Sequence, residues 1–257
     1  MFLRKLFNIS DKIKWLTLEL LVVFIGVYLA FVFQNISLKK GIAKEQEKVF
    51  VSLKKELDYF RIMLPEYANF QANIIEEWDS LLNLKQIPTF YGWRYIEPQY
   101  NFKVIEYAVN LEGTDIIDFE MYEQLLGLYQ RIKNIEHAER LMTDYAGRYK
   151  KIPTDINQKG EAAKIMKAEN ELTFTKFKVF AEDRTYILRS VASSSAEIVQ
   201  LINNQLGAEK TREVDIDLLK VYLEEERSEI AVLEEFIERF PQYTIDEVKK
   251  ELATIKK

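Results

Sequence analysis

No cysteine occurs in the 257 residues, which excludes disulfides, thiolate nucleophiles, thiolate metal sites and lipid chains attached through sulfur. His137 is the sole histidine. Transition-metal sites draw on several such ligands, and a di-iron carboxylate bundle needs two Glu-x-x-His pairs, so no metal or other cofactor is expected. Glycine (8) and proline (5) are scarce, which disfavours turn-dense β folds and favours long helices. There is no G-x-S-x-G, no H-E-x-x-H and no glycine loop that would cradle phosphate, so no catalytic residue is assigned and no enzyme is expected.

Against these absences stands one unbroken apolar run, Trp15–Asn35, WLTLELLVVFIGVYLAFVFQN, with Glu19 near its start. About 20 apolar residues cover the roughly 30 Å of a bilayer's hydrocarbon core, so the run predicts a single transmembrane helix over 15–36. It continues through Phe31–Phe33 into Lys39–Lys40 with no small-residue cleavage site, which favours a retained anchor over a signal peptide. Arg4, Lys5, Lys12 and Lys14 precede the span and Lys39, Lys40, Lys44 and Lys48 follow it. A short tail with four positive charges resists translocation, whereas a long following domain crosses regardless of charge. The expected arrangement is a basic cytoplasmic tail over 1–14 and a periplasmic C-terminal domain, in a bacterial inner membrane.

Charge divides unevenly. Residues 1–40 carry six Lys/Arg against Asp11 and Glu19, formally +4, so the total of −5 leaves −9 for residues 41–257. Phosphate backbones are bound by clustered cations, so nucleic acid is not an expected partner. The 48% apolar content suffices for a packed core, and 30% charged residues supply a solvated surface.

Helical periodicity continues beyond the span. Ile42, Val49, Leu53, Leu57, Phe60 and Leu64 recur at three-, four- and seven-residue intervals, predicting a juxtamembrane helix over 37–64 that Pro65 ends. Lys44, Glu45, Glu47, Lys48, Lys54, Lys55 and Glu56 read as its solvated face. A helical bundle follows over 65–257, with a sub-boundary at the polar connection 151–160. Its helices are expected at 66–85, at 102–111, from a cap at Asp115 or Asp118 to about Tyr149, and at 161–206, closed by Gly207 and kinked at Ser193–Ser195. Asp215 should cap a helix over 216–240, in which Glu226 either lies at the bundle edge or selects register. Pro241 stops that helix, and Thr244–Glu247 is a capping box for the last one. The fold class is all-α, with coiled-coil-like packing.

Two groups of residues are candidates for contact. Glu19, Val22, Gly26, Ala30 and Phe33 share one helical stripe, and Gly26-x-x-x-Ala30 is a small-xxx-small pair that admits a close helix. An acid inside a span is expensive, so Glu19 either faces a partner or reaches the headgroups to meet Lys12, Lys14 or lipid amines. In Ile87–Tyr100, Phe90, Tyr91, Trp93, Arg94 and Tyr95 either cover the bundle or form a partner surface, since Tyr, Trp and Arg are enriched in interface hot spots. His137 reads as a surface or satisfied histidine, and the acidic clusters Glu76–Glu77, Glu224–Glu226 and Glu234–Glu235 as outward-facing charges.

The run from Glu19 to Ala30 behind a basic tail resembles a family of single-pass bacterial inner-membrane proteins with an E-x-x-x-V-x-x-G-V-x-x-A span and a helical domain behind it. Val104–Ile135, with a glycine turn, an isoleucine–acid step and a Leu/Tyr-rich helix, is similar to the same family. Gln34–Asn35 departs from its Trp-Asn pair. The resemblance implies the architecture and no particular activity. The expected function is a membrane-anchored, non-enzymatic interaction, scaffold or sensor protein of the bacterial envelope. The alternative is a subunit of an oligomeric membrane assembly (channel, motor accessory or membrane effector) built on the Glu19 face. Expected partners are the lipid bilayer and a second copy or another membrane protein; a small-molecule ligand is left open.

Overall fold

A computed structural model describes residues 2–84, 86, 102–111, 115–148, 160–224 and 229–255. Side chains are described within these from residue 15 on, except 17, 222, 224, 229–232, 254 and 255. All regular structure among the described residues is helical: α1 (Phe2–Asn83), α2 (Phe102–Val109), α3 (Phe119–Gly147), α4 (Glu161–Glu224), α5 (Glu229–Arg239) and α6 (Ile245–Ile255). The chain divides into two units, Met1–Lys48 and Val49–Lys257.

The first unit is the N-terminal part of α1. Trp15, Leu16, Leu18 and the apolar side chains onward to Leu38 are largely exposed. From Leu18, α1 is long and apolar enough to cross a membrane. None of its most apolar stretch is buried within the structure.

In the second unit, one core joins Val49, Phe50, Leu53, Leu57, Phe60 and Leu64 of α1 to Ile105 of α2, to Met121, Leu125, Leu128 and Ile132 of α3, and to Leu188, Val191 and Ile202 of α4. Trp78 sits edge-on to Phe174 at 5.3 Å within a smaller cluster that includes Met142 and Phe177. A third cluster gathers Ile62, Ile216, Leu219, Phe236, Phe240, Tyr243 and Val248.

Pro65 does not end the helix, contrary to the reading of the sequence; α1 runs through it to Asn83. An interior proline removes one N–H and crowds the preceding turn, at a cost of about 3 kcal/mol. Leu57, Phe60, Leu64 and Ala68 are all fully buried across that point. At roughly 1.5–3 kcal/mol for each large apolar side chain, keeping them in helical register outweighs the defect.

Several local signals hold. The Asp118 carboxylate accepts from Met121 N–H at 2.8 Å and caps α3. Thr244 N–H donates to Glu247 Oε2 at 2.9 Å, and Glu247 N–H to Thr244 Oγ1 at 3.4 Å, which closes the capping box before α6. α4 breaks its helical geometry at Gly207 (φ 76°, ψ 165°) and resumes directly. The predicted cap at Asp215 is therefore incorrect: that residue is buried inside helix. Ser193–Ser195 remain helical, and Ser195 Oγ donates to Val191 O at 2.8 Å, so this hydroxyl is satisfied without breaking the helix.

The two kinds of glycine separate experimentally. An added Cβ would meet nothing within 4 Å at Gly207 or at Gly127 in α3. Gly207→Ala is therefore expected to destabilise by about 1 kcal/mol through backbone strain alone. Gly127→Ala is expected to stabilise by about 0.5–1 kcal/mol. Chemical denaturation of the two variants against wild type measures both signs.

Candidate functional site

The sequence treats Lys54 as part of a solvated face. It is buried, and this corrects the reading. Leu53 and Leu57 place that stretch of α1 in the core, and Lys54 and Asp58, one turn apart, enter with them. Lys54 Nζ lies 2.7 Å from Asp58 Oδ2 and 2.7 Å from Asp215 Oδ1 of α4. Asp58 Oδ1 is also 2.9 Å from Arg61 Nη2. Arg61 Nη1 donates to Arg239 O at 2.9 Å, and its guanidinium lies 4.7 Å from the Phe240 ring centre. Asp215 Oδ2 accepts from the Tyr243 hydroxyl at 2.6 Å and from Gln242 Nε2 at 3.4 Å. Two cations and two carboxylates thus neutralise one another, Lys54, Asp58 and Asp215 out of water and Arg61 partly exposed. Removing one member of such a set leaves an uncompensated buried charge, a loss of about 3–5 kcal/mol.

Burial pushes the Asp58 carboxyl above its ordinary value; Lys54 and Arg61 pull against that rise, and Asp215 adds to it. Tyr243 is pushed well above its ordinary value of 10.0, by burial first and then by donating to the Asp215 carboxylate.

This network forms one wall of an open cavity of about 820 Å³. The other walls include Ala196, Val199, Asn203, Thr211, Arg212 and Phe240. Arg212 is itself paired, with Nη2 3.1 Å from Glu251 Oε1. Asn203 Oδ1 and Thr211 Oγ1 are different: both atoms are buried and lack a hydrogen-bond partner. Unmatched buried polar atoms are uncommon and costly, about 1–3 kcal/mol each, and these two belong to residues of the cavity lining. A concave, largely apolar wall with a few such groups is the usual form of a small-molecule site.

The stripe read from the sequence lies in the first unit. Glu19, Val22, Gly26, Ala30 and Phe33 are exposed there, and nothing lies within 4 Å of a Cβ built on Gly26. Phe90, Tyr91, Trp93, Arg94 and Tyr95 fall outside the described residues, as do 151–159 and Glu226. His137 is exposed on α3, with Arg140 Nη2 2.8 Å from its Nδ1. Glu76 and Glu77 are exposed as expected. No group of three or more His, Cys, Asp or Glu is arranged to hold a metal ion among the described residues.

The cavity was missed because its residues come from distant parts of the chain. Two cues were present. Lys54, Asp58 and Arg61 share the spacing of the buried apolar residues around them. Asp215 is flanked by Val214 and Ile216, both buried. The chain matches no known family, no curated protein and no solved structure.

The Tyr243 hydrogen bond makes a pH-dependent prediction. A phenol whose folded value is raised contributes stability fully present below pH 10.0 and lost as pH rises from there toward the folded value. Tyr243→Phe is expected to cost about 1.5–3 kcal/mol near pH 7. Denaturant midpoints collected across the alkaline range should show a constant gap to wild type below about pH 9.5 that narrows above it.

Proposed function

We propose that this chain is a membrane-anchored, non-enzymatic interaction or sensor protein of the bacterial envelope. Its helical unit is a bundle with coiled-coil-like packing that binds a small molecule in the cavity beside Lys54, Asp58 and Arg61. The observation that carries this reading is the pair of unpartnered atoms, Asn203 Oδ1 and Thr211 Oγ1, on residues that line a cavity whose cations Lys54, Arg61 and Arg212 each meet a carboxylate. A site whose cations are already matched and whose neutral polar atoms are left over suits a ligand without an anionic group that brings hydrogen-bond donors and an apolar body. The exposed apolar helix from Leu18 supports anchoring. The basic stretch before it supports a cytoplasmic N-terminus and a periplasmic second unit, and the family resemblance of Glu19–Ala30 agrees with that architecture.

Native mass spectrometry of the full chain, extracted from its own membranes in detergent, tests the site. Wild type should carry a small molecule that Ala196→Trp, which fills the cavity, does not. A wild-type chain without bound mass, or a bound molecule retained by Ala196→Trp, refutes the cavity as the site. Release of that molecule in a chemically altered form would make the protein an enzyme instead.

A second reading makes the chain a subunit of an oligomeric membrane assembly. It is favoured by the open approach to Gly26 on the stripe that carries Glu19. In this reading Glu19→Gln and Gly26→Leu each lower the assembled fraction at least about tenfold while membrane insertion is unchanged, because a leucine at the contact blocks the close approach. Blue-native electrophoresis decides it; wild-type migration of both variants removes the reading.

A further inference from the structure

α4 is apolar on two opposite faces, and the second unit uses one of them. Ala163, Phe174, Phe177, Ala181 and Leu188 are buried within the unit. On the far side, Ile165, Leu172, Val179 and Tyr186 stand 53%, 63%, 44% and 75% exposed. These four follow one another at intervals of seven residues. Scattered exposed apolar residues are ordinary on a protein surface, but a strict seven-residue repeat is not. Seven residues fall about 20° short of two straight helical turns, so such a stripe winds around the helix in the sense that a supercoiled partner helix follows.

The charges beside the stripe specify the partner. With Ile165, Leu172, Val179 and Tyr186 at heptad position a, position g holds Lys164, Glu171 and Lys178, and position e holds Glu169, Lys176 and Asp183. In a parallel two-stranded coil each g residue faces the e residue five positions on in its partner, and these pairs set orientation and partner choice. A second copy would pair Lys164 with Glu169, Glu171 with Lys176, and Lys178 with Asp183, opposite charges in every case. An antiparallel copy centred between Leu172 and Val179 would instead set Glu169 against Asp183 and Lys176 against itself. Lys178 already meets Asp79 and Glu182, and Lys164 meets Glu161, within the same chain, so the Glu171–Lys176 pairs carry the selection. Position d holds Ala168, Thr175 and Glu182; the first two are small enough for close approach, and Glu182 is a polar layer whose charge meets Lys178 of its own chain.

We infer that α4 forms a parallel two-stranded coiled coil with α4 of a second copy of this chain, along the seam from Lys164 to Asp183. The inference stands on α4 alone and depends on neither the cavity nor the Glu19 stripe.

Because the chain has no cysteine, single substitutions report directly. Full-length Leu172→Cys in detergent, mildly oxidised, should give a disulfide-linked dimer. A mixture of Ile165→Cys and Tyr186→Cys chains carrying different tags should give no mixed dimer. Glu171→Lys introduced into the Leu172→Cys chain should weaken dimerisation roughly tenfold, and adding Lys176→Glu should restore it. Circular dichroism checks that helix content is unchanged. Any of three results overturns the inference: no Leu172 crosslink, whether the chain is then monomeric or dimeric through another surface; a mixed Ile165–Tyr186 crosslink; or a Glu171→Lys defect that Lys176→Glu leaves unrepaired.

Discussion

The second unit depends on an ammonium group held between two carboxylates. Lys54 Nζ sits 2.7 Å from both Asp58 and Asp215, all three side chains being almost wholly out of water. A charge in such a place is tolerable only when its partners are fixed, so the contact sets the position of α4 beyond Gly207 against α1. Through Asp215 it reaches the Tyr243 hydroxyl, and through Asp58 it reaches Arg61, whose guanidinium lies over Phe240. The third hydrophobic cluster is therefore tied to α1 by a directional link as well as by apolar contact. Burying an ion pair adds little net stability, but it penalises every arrangement in which a partner is missing.

The same arrangement leaves the cavity its character. Because Lys54, Arg61 and Arg212 are each occupied by a carboxylate, the wall offers no unpaired cation to attract an anion. Its unfilled capacity lies in neutral atoms on α4, on either side of the break at Gly207. Helical dihedrals carried through that point would give the two halves of α4 one common axis; the positive φ turns the second half aside and lets Asn203 and Thr211 border one space. The glycine thus shapes the site through its backbone, directly beside Ala208 of the lining.

Local signals were legible in the sequence because their physics is local. The Asp118 cap, the Thr244–Glu247 box and the Gly207 break each involve residues within a turn of one another, and each occurs where it was expected. Pro65 was misread for the complementary reason. Its backbone defect is visible in the sequence, while the burial of Leu57, Phe60, Leu64 and Ala68 that overrides it depends on α2, α3 and α4. Of the site residues, the Glu19–Phe33 stripe needs only helical periodicity to be drawn. The cavity needs to know that Asp215 meets Lys54, and no spacing rule links residues so far apart.

The sequence by itself determined the helical character of the chain, its apolar N-terminal run and several helix ends. Periodicity, hydropathy and backbone capping act over a few residues, so composition in a short window is enough. The tertiary structure alone decided which charges leave water, which helix continues through its proline and which face of α4 remains uncovered. Those outcomes are set by competition between distant segments for the same buried volume, and that competition is resolved only when the chain has closed on itself.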